Sequence, residues 1–423
     1  MTLDSTENLL EVVLSGDNLN AAWKRVRANK GAAGIDGIAI EEFTQHFKKI
    51  GKEIIESIRD GHYQPIPVRR VYIRKPDGGE RGLGIPTVFD RVIQQAIAQI
   101  ISPIFDQEFS EFSYGFRPKR SQHDAVRKLQ EYIKGGKRIA VDVDLSKFFD
   151  RVNHDFLMSL LGKRITDKSL LKLIASYLRA GIIEDGCWQQ CHEGVPQGGP
   201  LSPLLSNIVL DLLDKELEQR NHSFVRYADD FVIVVGSKRA GERVMASVKR
   251  FVERKLKLKV NDTKSQVAPV SQCKFLGFSF RGANIVWHDN ALHQFKHRVR
   301  QITGRSRGIS MEEKVKELTV YLRGWINYFG IAQGFQKCID LDGWIRRRLR
   351  MSYWKNWRKV RTKIRKLMSC GVSEDLAVTC GSSNKSYWRC AKTEGVHIAL
   401  GNKFFEDMGL ISLRERWVEI HYN

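Results

Sequence analysis

The chain has 423 residues, 42% of them hydrophobic, and a net charge of +22 from 70 Lys and Arg against 48 Asp and Glu. That apolar share supports packed cores and excludes a disordered chain, while the length implies about two or three domains. The cation excess points to a polyanionic partner, and no run approaches the ~18 consecutive apolar residues of a membrane span. The N-terminus, MTLDSTENLL, lacks a basic segment before an apolar one, so no secretory leader is read and a cytosolic location is expected. The seven cysteines include no CxxC pair and are odd in number, which argues against a disulfide framework or zinc finger. Cys187, Cys191 and His192 read as strand-and-turn packing, since no second ligand pair accompanies them.

Residues 4–60 read as helical, with Leu19, Trp23 and Val26 near one face, followed by Gly-rich GAAGIDG at 31–37. Residues 65–86 alternate basic and apolar positions around a PDGG turn, the pattern of a basic hairpin. Residues 90–109 return to helix, 138–145 (RIAVDVDL) read as a buried strand, and 153–180 and 204–220 as helices. Residues 224–236, FVRYADDFVIVVG, place Asp229 and Asp230 between two β-branched apolar runs and predict a hairpin. An amphipathic helix follows over 239–256, with Val244, Val248, Phe251, Val252 and Leu256 on one stripe, and LKLKV and KFLGFSF read as strands. Strands alternating with helices indicate an α/β (α+β) domain with an antiparallel sheet to about residue 280.

The composition then shifts. Between residues 296 and 366, 20 Lys and Arg stand against five acids. Ile345, Leu349, Tyr353, Val360, Ile364 and Leu367 recur at helical spacing, while Arg346, Arg347, Arg350, Lys355, Arg358 and Lys359 fall mainly on other faces. So one-sided a field repels itself unless phosphates neutralise it, which indicates a helical nucleic-acid-binding domain.

Two adjacent carboxylates at a hairpin tip repel, so Asp229 and Asp230 imply either a divalent cation or plain solvation of a common turn residue. Asp142 and Asp144 alternate with valines on the strand at 138–145 and so share one face. A carboxylate at the end of a buried strand is costly unless paired or liganded. Delivered by one sheet, such acids suit two divalent ions roughly 3.5–4 Å apart, which activate an attacking hydroxyl and stabilise the leaving oxygen of an in-line phosphoryl displacement.

YADD at 227–230, VDVDLSKFFD at 141–150, VPQGGPLSPLLSN at 195–207, YGFRP at 114–118 and KFLGF at 274–278 together resemble a reverse transcriptase. More narrowly, their order and spacing resemble the group II intron-encoded reverse transcriptases, or maturases, over nearly the whole chain. The resemblance implies a right-hand polymerase with fingers, an antiparallel palm sheet and a basic helical thumb. It implies metal-binding acids at Asp144, Asp229 and Asp230, with Asp144 preferred to Asp142 because the family places an aromatic five residues after the catalytic Asp. Phe149 holds that place and resembles the gate that excludes a ribose 2′-hydroxyl, with Phe148 as the competing residue. Lys75 and Arg81 resemble the fingers residues that hold the incoming triphosphate, as suits a mobile ammonium and a forked guanidinium. Gln197 resembles the residue beside the nucleotide sugar, Lys264 a lysine that protonates leaving pyrophosphate, and KFLGF the primer grip.

The implied domains are 1–60, an N-terminal extension and the start of the fingers; 61–285, fingers and palm; 286–385, thumb or maturase; and 386–423, a short nucleic-acid-binding segment. The implied cofactor is Mg²⁺, as two ions, with Mn²⁺ as a substitute. The implied partners are group II intron RNA, an RNA template with a DNA or RNA primer, dNTPs and target DNA, with no membrane, in the bacterial cytosol near the nucleoid. Relatives that cut DNA carry an HNH-type endonuclease with His and paired Cys ligands; the chain stops at Asn423 without those motifs, so second-strand cleavage is not expected. Two other readings share these motifs: a polymerase detached from an intron and used in DNA repair or phage defence, and a splicing-only maturase.

Overall fold

The computed structural model describes residues 7–74 and 78–422, which divide into two units, Met1–Pro269 and Val270–Asn423. Residues 1–6, 75–77 and 423 lie outside the described residues, and with them the candidate Lys75.

In the first unit, β1 (Val68–Arg74) and β2 (Glu80–Ile85) form the basic hairpin read from the sequence. The strand β3 (Ile139–Val143) comes next, then a second hairpin of β4 (Ile182–Glu184) and β5 (Cys187–Gln189), and then β6 (Ser223–Tyr227), β7 (Asp230–Val235) and β8 (Gln266–Pro269). They make two sheets, ordered β2-β1-β4-β5 and β6-β7-β3-β8, and the second is antiparallel throughout.

Alternation along the second sheet decides which face carries charge. Val141 pairs with Ile233 and Val267, and Val143 with Phe231. These residues face the helices, since a Cβ on Gly241 of the helix Lys238–Arg254 would meet Val267, Ile139 and Val141. The helices Gln122–Lys134 and Ser202–Gln219 pack on the same sheet, so Phe224, Phe231 and Ile233 are fully buried. Asp142 and Asp230 fall on the opposite face.

The helices begin where side chains satisfy the unpaired amides of a first turn. Thr87 accepts from the Asp90 amide to start Val88–Asp106, and Ser121 and Asp124 form a reciprocal capping box for Gln122–Lys134. The stretch read as one helix over 153–180 is two, His154–Leu161 and Lys168–Arg179, the second started by Asp167. LKLKV is not a strand: Lys257 takes φ +56°, Leu256, Leu258 and Val260 are buried, and only one isolated bridge forms, Leu145 with Val260.

The second unit begins at Val270, ahead of the basic stretch at 296–366. Its hairpin, β9 (Phe278–Arg281) and β10 (Asn284–Trp287), packs on the helix Met311–Phe329: Phe278 lies 5.2 Å from Phe329, Trp287 lies 4.8 Å from Trp325, and the Trp287 indole donates to the Phe329 carbonyl. In KFLGF, Leu276 (φ +51°) and Gly277 (φ +81°) make a turn, and the strand starts only at Phe278. The long helix Phe335–Asn356 anchors the C-terminal helix Leu413–Tyr422 through buried Asp342, which accepts from the Ser412 hydroxyl and the amides of Leu413 and Arg414.

Asp342 therefore serves as a cap supplied from a distant helix. Replacing it with Ala leaves those amides without acceptors and is expected to destabilise the second unit by about 2–3 kcal/mol. Urea unfolding measures the loss, and hydrogen exchange at Leu413 and Arg414 should accelerate most; unchanged exchange there would refute the anchoring role.

Candidate active site

The acids gather at one end of the antiparallel sheet because strand register brings them there. Val143 pairs with Phe231, so the same register carried one residue further sets Asp144 beside Asp230, and Tyr227 pairs with Asp230 on the other side. Directly opposed residues in antiparallel strands lie about 4.5–5.5 Å apart at Cα, within reach of one shared cation. Asp229 occupies the two-residue turn between β6 and β7, where Ala228 takes φ +56°. Asp142, Asp144, Asp229 and Asp230 are all partly exposed.

Asp144 is fixed from its far side. Its amide donates to the Ser265 hydroxyl at 3.0 Å, and its carbonyl accepts from Asn261 at 2.8 Å. The same turn carries Lys264, whose amide donates to the Asn261 carbonyl, so backbone bonds tether Lys264 near Asp144. Asp142 sits one register position deeper, opposite Val232 and Gln266.

The donors fit a hard divalent cation: carboxylate oxygens, with no sulfur or imidazole among them. Among the described residues, no three His, Cys, Asp or Glu side chains form a preformed metal group. Mg²⁺ generally binds through one or two carboxylates and completes its shell with water and substrate phosphates, so the donor set suits that mode better than a closed cage. Cys187, Cys191 and His192 likewise form no metal group, and the cysteines are free thiols.

The nucleotide-contact candidates meet on a second frame. Arg81 of β2 donates from Nε to Gln197 Oε1 at 2.8 Å, and Gly84 donates to the Gln197 carbonyl at 2.6 Å. Gly198 (φ +124°) lies so close to Gly84 that a Cβ would strike its carbonyl oxygen, and a Cβ on Gly199 would strike Gln94. Gly198 is therefore required by close backbone approach and by its positive φ, whereas Gly199 packs against a side chain.

Phe149 is tied to the same loop, since its carbonyl accepts from Val195 at 2.6 Å. It lines a cleft of about 570 Å³ with Arg70, Lys147, Asn153, Cys191 and His192. Phe148, nearly fully buried and edge-on to Phe149 at 5.1 Å, does not line it.

The basic residues of the second unit divide. Arg350 is only 4% exposed and donates to the Leu400 carbonyl at 2.8 Å, with His397 at 3.1 Å; burial and then Arg346 push its guanidinium down to about 10. The expectation that Arg350 faces phosphate is corrected: it is enclosed against Leu400 and against His397 of the short helix Glu394–Ala399. Arg347 stacks 3.8 Å over the Trp388 ring and donates to its carbonyl, and Lys355 donates to Ser306. Arg346 is half-buried, and Arg358 and Lys359 are exposed.

Sequence reasoning misses one residue beside the acids. Arg226, next to last in β6, points into the helix-covered face and is fully buried against Asp214. The signal that marks it is a charged residue at an inward position of an apolar alternation.

Residues 73–280 match the reverse transcriptase (RNA-dependent DNA polymerase) family, and residues 292–371 match the group II intron maturase-specific domain. The chain is 35% identical over 321 residues to Protein YkfC of Escherichia coli (strain K12), covering 66% of this chain and 83% of that protein. It is 32% identical over 353 residues to the group II intron-encoded protein LtrA of Lactococcus lactis subsp. cremoris, covering 66% of this chain and 58% of LtrA. It is also 32% identical over 212 residues to a putative COX1/OXI3 intron 1 protein of Saccharomyces cerevisiae, covering 50% of this chain and 25% of that protein. The chain belongs to the reverse transcriptase family. Within it, the maturase-specific domain makes it a group II intron reverse transcriptase/maturase. Among the described residues no helix is long and apolar enough to cross a membrane.

A buried histidine ties the PQGG segment to the helix beneath it. His154, 5% exposed, bonds the Gly194 carbonyl at 2.7 Å, and burial lowers its pKa below the usual value, outweighing that bond. It is therefore held neutral in the fold but titrates near 6.5 when unfolded. Between those values the unfolded chain binds more protons, so the contribution is present above pH ~6.5 and lost as pH falls below it. Urea unfolding of the wild type should show stability rising from pH ~5.5 to ~7.5, more steeply than in His154→Asn. Equal slopes would mean that His154 does not carry the linkage.

Proposed function

We propose that this protein copies RNA into DNA, binds group II intron RNA, assists its splicing and reverse-transcribes it during retrohoming. The observation that supports this reading is the β3–β7 register, which ends with Val143 opposite Phe231, one residue short of Asp144 and Asp230, with Asp229 on the adjoining turn.

Divalent metal use is general to the reverse transcriptase family. Asp144, Asp229 and Asp230 are proposed to hold two Mg²⁺ ions, replaceable by Mn²⁺. When bound, such ions lower the pKa of an attacking hydroxyl and neutralise charge on the leaving oxygens.

The chain's own residues do the rest. Arg81, already oriented by Gln197, offers its remaining guanidinium donors to triphosphate oxygens, and Lys75 is assigned the role of a second cation there. Gln197 lies against the sugar. Phe149, which walls the cleft, is assigned the exclusion of a ribose 2′-hydroxyl. Lys264, tethered beside Asp144, donates a proton to the departing pyrophosphate. Exposed Arg358 and Lys359, with Arg346 and Lys355 at their margin, bind intron RNA phosphates. Arg350 acts instead as framework that positions that surface, and Arg347, stacked on Trp388, stands between the two roles. The RNA template, its primer, dNTPs and target DNA are the corresponding partners. Residues 1–60 are proposed as the extension and start of the fingers, 61–285 as fingers and palm, 286–385 as maturase domain, and 386–423 as a nucleic-acid-binding segment.

The direct test is primer extension on an RNA template with Mg²⁺ present or chelated. Asp229→Ala should abolish synthesis while RNA affinity stays within about threefold, because removing an acid from the reacting centre costs transition-state binding and not phosphate contacts. Retained synthesis would refute the acid assignment.

Arg358→Gln with Lys359→Gln should weaken RNA binding and flatten its salt dependence by roughly 0.7 log units per lost contact with single-stranded RNA. An unchanged slope across roughly 50–200 mM salt, a range in which such contacts are usually resolved, would mean that these residues do not contact phosphate.

A further inference from the structure

The turn bearing Asp229 is clasped from beneath by one guanidinium. Arg226 donates from Nε to Asp214 at 2.8 Å, and both side chains are fully buried. Its NH1 donates at 2.9 Å to the Ala228 carbonyl and at 2.9 Å to Asn207 Oδ1. Asn207 in turn donates to the Gly115 carbonyl, and Gly115 abuts Ala228 so closely that a Cβ there would collide with the Ala228 amide. The backbone of Arg226 is gripped as well, donating to Phe112 and accepting from Tyr114.

Three features make this more than packing. First, Ala228 holds φ +56°, a left-handed conformation that L-residues other than Gly, Asn and Asp seldom adopt, and its carbonyl is held by a bond that Arg226 supplies. Second, a buried ion pair is often no more stabilising than well-packed apolar residues, so stability alone does not account for it. Third, the helix Ser202–Gln219 that carries Asn207 and Asp214 also anchors the PQGG loop, since Ser202 Oγ donates to the Pro196 carbonyl. One rigid helix thus references both the acid-bearing turn and Gln197.

We propose that Arg226 is a positioning residue for nucleotidyl transfer, with Asp214 and Asn207 as its anchors: it holds Asp229 and Asp230 at a fixed distance from the sugar-contacting loop. It touches no substrate and acts only through the turn. The inference rests on the assignment of chemistry to Asp229 and Asp230, so Asp229→Ala is run beside it.

The test compares wild type, Arg226→Lys and the charge-free pair Arg226→Met with Asp214→Leu, using single-nucleotide incorporation on an RNA template across a Mg²⁺ titration. The pair should fold and bind primer–template within about threefold of wild type, yet lose roughly 10²-fold in kcat, as a small misplacement of reacting groups does. The Mg²⁺ concentration for half-maximal rate should rise, because displaced carboxylates share a cation less well. Arg226→Lys keeps the charge but loses the fork, and should lie between the two in both kcat and Mg²⁺ response. A purely structural role would lower the melting temperature and leave kcat per folded molecule and the Mg²⁺ midpoint unchanged; that result overturns the proposal. If the pair does not fold, Arg226→Lys decides alone: wild-type kcat and Mg²⁺ response overturn it, and a shifted Mg²⁺ midpoint upholds it. An active Asp229→Ala would instead overturn the underlying acid assignment.

Discussion

The pairing register between β3 and β7 is the constraint on which the site depends. Because side chains alternate with a period of two, a single-residue slip would turn Asp142 and Asp144 toward the helices and Val141 and Val143 outward. The enclosed helix side opposes it: Val141, Ile233 and Phe231 are fully buried there, and the slip would carry Asp142 and Asp144 in among them, burying charge without a partner. Hydrophobic burial on one face therefore does the positioning of carboxylates on the other. Charge repulsion among the acids opposes this arrangement, and the apolar core supplies the free energy that overrides it.

Much of this was legible in the chain because local patterns encode it. Alternating valines around Asp142 and Asp144, and β-branched runs around the YADD tip, specify strands and a turn without reference to anything distant. Only the fold identifies Gly84 and Gln94 as what the PQGG glycines approach. Other features were illegible for a physical reason: they depend on elements remote in sequence. Arg350 sits on a helix whose apolar spacing leaves it outward, yet a segment 50 positions later, at Leu400, covers it. The Asp342 cap spans a similar separation. LKLKV has strand composition, but no free sheet edge meets it beyond one bridge at Val260. The place of β9 and β10 was likewise illegible, because they carry ordinary residues and are tied to the second unit by packing against Trp325 and Phe329.

The cations of the second unit serve two ends that charge counting cannot separate. Several are consumed internally at the end of the helix Asp289–Ile302, where Lys314 donates to the Gly304 carbonyl, Arg307 to the Ile302 carbonyl and Arg348 to the Thr303 hydroxyl. Positive groups at a helix C-terminus complement its exposed carbonyls and dipole. Burial, and then neighbouring cations, lower the pKa of both Lys314 and Arg348, which rely on those acceptors where solvent is excluded. The self-repulsion inferred from composition is thus partly relieved inside the fold.

What remains for a polyanion is the exposed subset, which has a different chemistry. Arg358, Lys359, Arg361, Arg365 and Lys366 cluster about the helix Val360–Ser369, are exposed, and lie in the maturase-specific domain. Exposed to solvent, they contribute a field that salt screens, whereas the enclosed cations contribute stability that salt affects little. Arg347 stands between the classes: stacked on Trp388, it keeps its guanidinium plane fixed while burial lowers its pKa. A pre-oriented guanidinium loses less entropy on meeting a phosphate than a free lysine does. The division therefore sets which cations define the surface's shape and which supply its affinity, and that distinction rests on burial and acceptor geometry, not on the residue type.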